Sequence, residues 1–239
     1  MEITDIHCHI LPGLDDGAKD LEESLALVRK AREQGVTTFI ATPHYSRQFP
    51  NDCPERIKEK CEELEEAARA QISPELSIYP GQEICWESDV PEKLDRGELL
   101  TLAGSSYVLV EFLPSVSRQS LYQSLRTLRL AGYLPILAHG ERYGALRKEG
   151  LEELVESGIQ IQMNYGSIGA SLFDKEERWC RRQLKDGMIS FLGTDMHSIH
   201  TRPPRIAEAM KWLRTHLDEE ELTRICHVHG QRVLTNQNL

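Results

Sequence analysis

The sequence predicts an α/β fold in which seven parallel strands, each followed by a helix, form a closed or nearly closed TIM-like barrel. Three observations carry that prediction. Seven apolar, β-rich runs recur along the 239 residues, amphipathic helical patterns fill the gaps between them, and no Pro/Ser-rich linker divides the chain. An open doubly wound sheet is the alternative, but no G-x-G-x-x-G opens a helix and no P-loop occurs. The length suits a single domain over residues 1–239 better than two small ones.

The strand candidates, in order, are ITDIHCHI (3–10), TTFIATPH (37–44), LSIYPGQEI (76–84), YVLVEFLP (107–114), LPILAHGER (134–142), IQIQMNYG (159–166) and ISFLGTDMH (189–197). After the first, Leu21, Leu25 and Val28 recur at helical spacing, and Gly35 stops that helix. Residues 53–72, dense in Glu and Lys with Ile57, Leu64 and Ala67/Ala68 on the apolar side, predict a long surface helix with many i,i+4 ion pairs. Leu121, Leu125 and Leu128 mark a helix ended by Gly132, and Gly158 and Gly187 close two more. Ile206, Met210, Leu213 and Leu217 mark another helical face.

Composition excludes several classes of function. The chain has 28 basic and 38 acidic side chains, a net charge of −10, and no basic block. That argues against a surface built to neutralise nucleic acid or an anionic membrane. With 40% hydrophobic and 28% charged residues it is a folded protein, not a disordered one. No apolar stretch approaches 18 residues, and MEITDIHCHI lacks the basic start of a signal peptide. A cytoplasmic protein without direct membrane insertion is expected. The six cysteines are scattered without a C-x-x-C, so free thiols are expected.

The chemistry gathers at the C-terminal ends of the predicted strands, where barrel active sites assemble. The first strand ends Asp5-Ile6-His7-Cys8-His9, and period two sends His7 and His9 to one side. Asp15-Asp16-Gly17 follows; later strands end in His44, Glu83, Glu111, His139, and Asp195 with His197. Taken singly, each is an ordinary polar residue at a loop boundary. Together, five histidines and four carboxylates put several negative charges into one cavity, which requires cations between them. Mixed N/O ligation without thiolate suits Mn, Fe, Zn or Mg.

These segments, DIHCHILPGLDDG (5–17), ATPH (41–44), PGQEI (80–84), VEF (110–112), AHGERY (138–143) and GTDMHSIHTRPP (193–204), resemble the PHP (polymerase and histidinol phosphatase) superfamily essentially end to end. Within it they resemble the bacterial manganese-dependent protein-tyrosine phosphatases of capsule and exopolysaccharide operons. The resemblance implies a distorted (β/α)7 barrel, the PHP fold, holding three divalent metals, with manganese the first expectation. It implies His7, His9, Glu83 and Asp195 on the first ion, Glu83, Glu111 and His139 on the second, and Asp16, His44 and His197 on the third, with Glu83 bridging. Glu111 stands where other PHP phosphatases often have His, which favours the tyrosine-phosphatase branch. Arg142 and Arg202 match the family's phosphate-binding positions and are the expected catalytic residues. The implied partner is the phosphotyrosine-bearing, tyrosine-rich tail of a membrane-associated tyrosine autokinase that controls polysaccharide export. The oligomeric state is not implied.

The expected reaction is metal-activated hydroxide attack on phosphorus without a cysteine nucleophile. His200 is a candidate proton relay; Tyr143, Tyr165 and Phe49 stay outside the catalytic set. One motif competes: Cys226 to Arg232 fits the C-x5-R pattern of cysteine-dependent phosphatases. It continues the helical EEELTRIC pattern, so a terminal helix is predicted, with Ile225 and Val228 packing and His227 or His229 facing solvent. Two rival functions remain: a PHP phosphatase of a small metabolite such as histidinol phosphate, and a metal-binding interaction protein without turnover.

Overall fold

The computed structural model describes residues 1–169 and 174–239, with the Glu149 side chain outside the description. Its strands are β1 (Ile3–Cys8), β2 (Val36–Ala41), β3 (His44–Tyr45), β4 (Ser77–Pro80), β5 (Glu83–Cys85), β6 (Tyr107–Glu111), β7 (Leu134–Leu137), β8 (Gln160–Asn164) and β9 (Phe191–Gly193). Every pair is parallel, in two sheets ordered β1-β2-β4 and β3-β5-β6-β7-β8-β9.

The seven expected strand positions are present, but two expected strands are each broken in two. Pro43 lies in the break between β2 and β3 and brings no N–H to a ladder; Gly81 and Gln82 separate β4 from β5. β3 and β5 restart in register, His44 opposite Glu83. The barrel closes where the chain leaving β9 meets the exit of β1: Asp195 N donates to His7 O at 2.8 Å and His9 N donates to Met196 O at 2.9 Å. The other strands are shorter than expected, so His9, His139, Asp195 and His197 lie just past strand ends.

The helices are α1 (Leu21–Arg32), α2 (Pro54–Gln71), α3 (Val90–Asp95), α4 (Arg118–Leu130), α5 (Gly144–Glu149), α6 (Glu152–Glu156), α7 (Lys175–Lys185), α8 (Ile206–His216), α9 (Glu219–Thr223) and α10 (His229–Leu234). Asp20, Ser117, Asp174 and Asp218 accept from first-turn amides of α1, α4, α7 and α9, which satisfies donors that the helix itself cannot. α4 buries Leu121, Leu125 and Leu128, and α8 buries Ile206, Met210 and Leu213. α1 departs from expectation at Leu21, which is exposed, because Leu25, Leu27 and Val28 carry its buried face. α2 buries Ile57, Cys61, Leu64 and Ala68, and its within-helix ion pairs are few: Lys60–Glu63 and Arg69–Glu65 among the described residues.

Inside the barrel, Ile6, Ile40, Leu109, Ile136 and Phe191 pack with Tyr107 and Val233. Each fully buried aliphatic or aromatic side chain contributes roughly 1.5–3 kcal/mol. α10 seals the N-terminal mouth: a Cβ on Gly230 would lie 2.7 Å from Thr4 Cβ, so only glycine lets the helix approach so closely. Polar chemistry is thereby left to the opposite mouth, the end at which the strands deliver their histidines and carboxylates.

Candidate metal centre

His7 and His9 are buried, with ring centroids 5.4 Å apart and Nε2 atoms 3.3 Å apart. Each ring is oriented from behind. His7 Nδ1 donates to Gln162 Oε1 at 2.9 Å, and His9 Nδ1 donates to Asp15 Oδ2 at 2.7 Å. His197 Nδ1 donates to the Asp195 carbonyl at 3.0 Å. In His7 and His9 the Nε2 lone pair is left to face the cavity, the arrangement by which supporting groups prepare a metal-binding imidazole, whereas His197 Nε2 accepts from Arg202 Nη1 at 3.0 Å.

Glu83 lies at the centre. Its Oε2 is 3.2 Å from His7 Nε2, 3.2 Å from His9 Nε2 and 3.1 Å from His44 Nδ1, yet none makes a well-formed hydrogen bond to it. Its Oε1 is 2.7 Å from His139 Nε2. His44 Nδ1 is 3.2 Å from Glu111 Oε1, and His139 Nε2 is 3.7 Å from Glu111 Oε2. Exposed Asp16 places Oδ1 3.5 Å from both His44 Nε2 and His197 Nε2. Two donors each about 2.1 Å from one ion stand about 3.0 Å apart at an octahedral angle and about 3.4 Å apart at a tetrahedral one. The spacings therefore fit ligand polyhedra around cations.

The residues able to share an ion fall into three groups: His7, His9, Glu83 and Asp195; His9, Asp16, His44 and His197; and His44, Glu83 and Glu111. The first matches the set implied by the resemblance. The second adds His9 to the implied three. The third takes in His44 where the resemblance implies His139, although His139 touches the same Glu83.

Asp195 divides its two oxygens. Oδ2 receives Arg142 and Arg202 at 2.6 Å each and Asn164 Nδ2 at 2.8 Å, while Oδ1 sits 3.5 Å from both His7 and His9 Nε2. Burial resists ionisation of this carboxyl, but the histidines and Arg142 outweigh it and hold its pKa low. Burial likewise acts on Glu83, and His7 and His139 overcome it. On the other side, burial opposes protonation of His7 and His9, while Glu83 and Asp195 raise His7 and Asp15 and Glu83 raise His9 well above the ordinary imidazole range. The cavity is a negative field that attracts cations. His139 (φ 35°) and Asp195 (φ 50°) both adopt left-handed backbone, which costs a non-glycine residue about 1–3 kcal/mol and persists where surrounding contacts enforce it.

Sequence reasoning overlooked the supporting residues. Gln162 Oε1 also accepts from His139 N at 2.8 Å, and Gln162 Nε2 donates to Asn164 Oδ1 at 2.9 Å, which ties two histidines to Asp195. The signal was present: Gln160, Gln162 and Asn164 alternate in an otherwise apolar strand, a polar face turned inward. Arg205, exposed, lines the same 250 Å³ pocket as Arg142 and Arg202. His200 sits in an exposed turn, while Tyr143 is packed in the core, its hydroxyl accepting from Phe112 N at 3.0 Å. Phe49 stacks on His44 with centroids 6.0 Å apart.

The C-x5-R motif is helical, as expected, and cannot cradle phosphate. Cys226 is buried in a π-helical turn (Arg224–Val228) that runs into α10, and burial pushes its thiol up to about 11. Val228, expected to pack, is exposed, because the wider turn rotates Cys226 inward beside Ile225.

A family model described as capsular polysaccharide synthesis, CpsB/CapC, matches residues 3–235. The chain is 34% identical over 242 residues to the tyrosine-protein phosphatase YwqE of Bacillus subtilis, covering 98% of this chain and 92% of that protein. It is 33% identical to the tyrosine-protein phosphatase CpsB of Streptococcus agalactiae over 239 residues, covering 97% and 98%. A solved structure from work on YwqE of Bacillus subtilis and CpsB of Streptococcus pneumoniae, described as unique metal-dependent tyrosine phosphatases, superposes with a TM-score of 0.90 at 31% identity, covering 99% of this chain and 96% of that one. This chain belongs to the CpsB/CapC family.

Proposed function

We propose that this chain, one domain over residues 1–239, is a metal-dependent protein-tyrosine phosphatase of capsule or exopolysaccharide synthesis. The observation that carries it is Glu83 Oε2, buried, ringed by three imidazole nitrogens at 3.1–3.2 Å and hydrogen-bonded by none. The proposed assignment is three divalent ions, manganese first, on His7, His9, Glu83 and Asp195; on Glu83, Glu111 and His139; and on Asp16, His44 and His197. Divalent cations held there supply a nucleophilic water at neutral pH and neutralise phosphoryl charge.

The chain's own residues bind and orient. Arg142 and Arg202, paired on Asp195, present planar forks that bind equatorial phosphoryl oxygens better than a point ammonium does. Asp15 and Gln162 keep His9 and His7 as lone-pair donors. A tyrosine leaving group, with a pKa of about 10, departs with little demand for a general acid, consistent with His200 lying in an exposed turn. The names of the relatives support a phosphotyrosine substrate over a small metabolite such as histidinol phosphate. The proposed partner is the tyrosine-rich tail of a membrane-associated autokinase, met in the cytoplasm; among the described residues no helix is long and apolar enough to cross a membrane.

The test is phosphate release from a phosphotyrosine peptide and from histidinol phosphate by chelated protein, with manganese restored, in wild type and His7→Ala. Peptide turnover that needs both manganese and His7 is expected. Preference for histidinol phosphate would place the protein in the metabolite branch.

A further inference from the structure

The 250 Å³ pocket beside Arg142 and Arg202 is smaller than the range of about 300–1,000 Å³ typical of ligand sites, and has room for the phosphoryl group but not for the polypeptide that carries it. On the other side of the metal centre lies a groove of about 1020 Å³ that the chemistry above leaves unused. The same strands build the metal centre and the groove. β3, β5 and β6 deliver His44, Glu83 and Glu111 to the centre, and the chain beyond each strand forms the groove walls: Arg47 after β3, Trp86 and Glu87 after β5, Phe112 and Leu113 after β6. Glu111 both lines the groove and belongs to a ligand group, so the groove opens directly onto the centre.

We infer that this groove seats the polypeptide segment flanking the phosphotyrosine, and that it selects a neutral segment carrying an apolar or aromatic side chain. The inference rests on the phosphatase reading above. The wall is rigid and apolar: the Trp86 and Phe112 rings lie 6.2 Å apart, Trp86 N donates to Glu111 O at 2.9 Å, and Phe112 N donates to Tyr143 Oη at 3.0 Å. Leu113 stands 71% exposed on the lip, where Val116 N donates to its carbonyl at 2.9 Å, and the two carry the apolar wall to the groove's edge. At the rim the charges are already paired, Arg47 with Glu87 at 3.0 Å and Lys93 with Asp89 at 2.8 Å, so the groove favours no acidic neighbour of the phosphotyrosine. A groove of about 1020 Å³ is larger than a small metabolite fills.

The test compares three substrates, free O-phosphotyrosine and five-residue phosphotyrosine peptides flanked by leucine or by aspartate, in wild type, Leu113→Asp and Leu113→Met. The leucine peptide should exceed both free phosphotyrosine and the aspartate peptide in kcat/KM by about tenfold. Leu113→Asp should erase that advantage, Leu113→Met should keep it, and turnover of free phosphotyrosine should stay within twofold throughout. Leu113 is exposed, so folding tolerates either change. Equal loss on the leucine peptide and on free phosphotyrosine, or no loss on either, would overturn the inference. A leucine-flanked peptide bearing a non-hydrolysable phosphonate, followed by fluorescence anisotropy, separates the two readings: at least fivefold weaker binding to Leu113→Asp supports the groove even if wild type turns over no substrate, and equal binding refutes it.

Discussion

Gln162 accepts the Nδ1–H of His7 across 2.9 Å and, through the same oxygen, the backbone N–H of His139 across 2.8 Å. One buried amide thus orients two histidines that start far apart in the chain. Gln162→Leu keeps the bulk and removes the acceptor. Metal affinity should fall about 10–100-fold, the usual cost of losing such a supporting group. Calorimetric titration of manganese into chelated protein measures it, and unchanged affinity would refute the assigned orienting role.

Arg142 and Arg202 both end 2.6 Å from Asp195 Oδ2. Arg142→Ala or Arg202→Ala should each lower kcat/KM on a phosphotyrosine peptide about 10²–10³-fold while circular dichroism stays native. Lysine in either place should restore little, since an ammonium lacks the fork. Full rescue by lysine would reduce the arginine's role to charge alone.

Asp5 is fully buried, and burial raises its pKa from the ordinary 3.8 to about 6 despite opposing bonds from Thr194 and His7. The folded state then holds this proton more tightly than the unfolded state between those values, so Asp5 makes stability fall as pH rises from about 4 to about 6. Asn in its place keeps one oxygen for the Thr194 and His7 amides and donates to Thr194 Oγ1, now free to turn to the His7 carbonyl. Urea unfolding of metal-free Asp5→Asn against wild type should show the difference shifting in favour of the variant by about 2 kcal/mol between pH 4 and pH 7. A difference independent of pH would mean that Asp5 stays ionised.

Cys226→Ser should leave turnover within twofold and lower stability by about 1–3 kcal/mol, since it buries a hydroxyl where a thiol packed. Thermal melts and initial rates check both halves. Abolished turnover with an intact fold would return the cysteine mechanism to consideration.

Much of this protein was legible in one dimension. Helix faces such as Leu121, Leu125 and Leu128 follow from periodicity, and eight of the nine ligand-type residues stand out because apolar strands end in them. The breaks at Pro43 and at Gly81 were not legible as breaks, because a proline or glycine in an apolar run is equally compatible with a strand end or a bulge. Val228 was misplaced because a π-helical turn shifts the helical face by a residue, and no local pattern announces it.

The sequence by itself determined the β-α rhythm, the end of the barrel that would carry polar chemistry, and the residue types available there. Tertiary structure alone decided the rest: that His44 stands between two groups of ligands, that Asp195 turns one oxygen to the arginines and the other to the histidines, that Gln162 joins His7 to His139, and that a groove runs on from Glu111. The reason is physical. Which strand a residue ends is a local property, read from periodicity and turn chemistry, whereas contacts across the mouth of a barrel depend on strand register and curvature, which the whole core sets cooperatively.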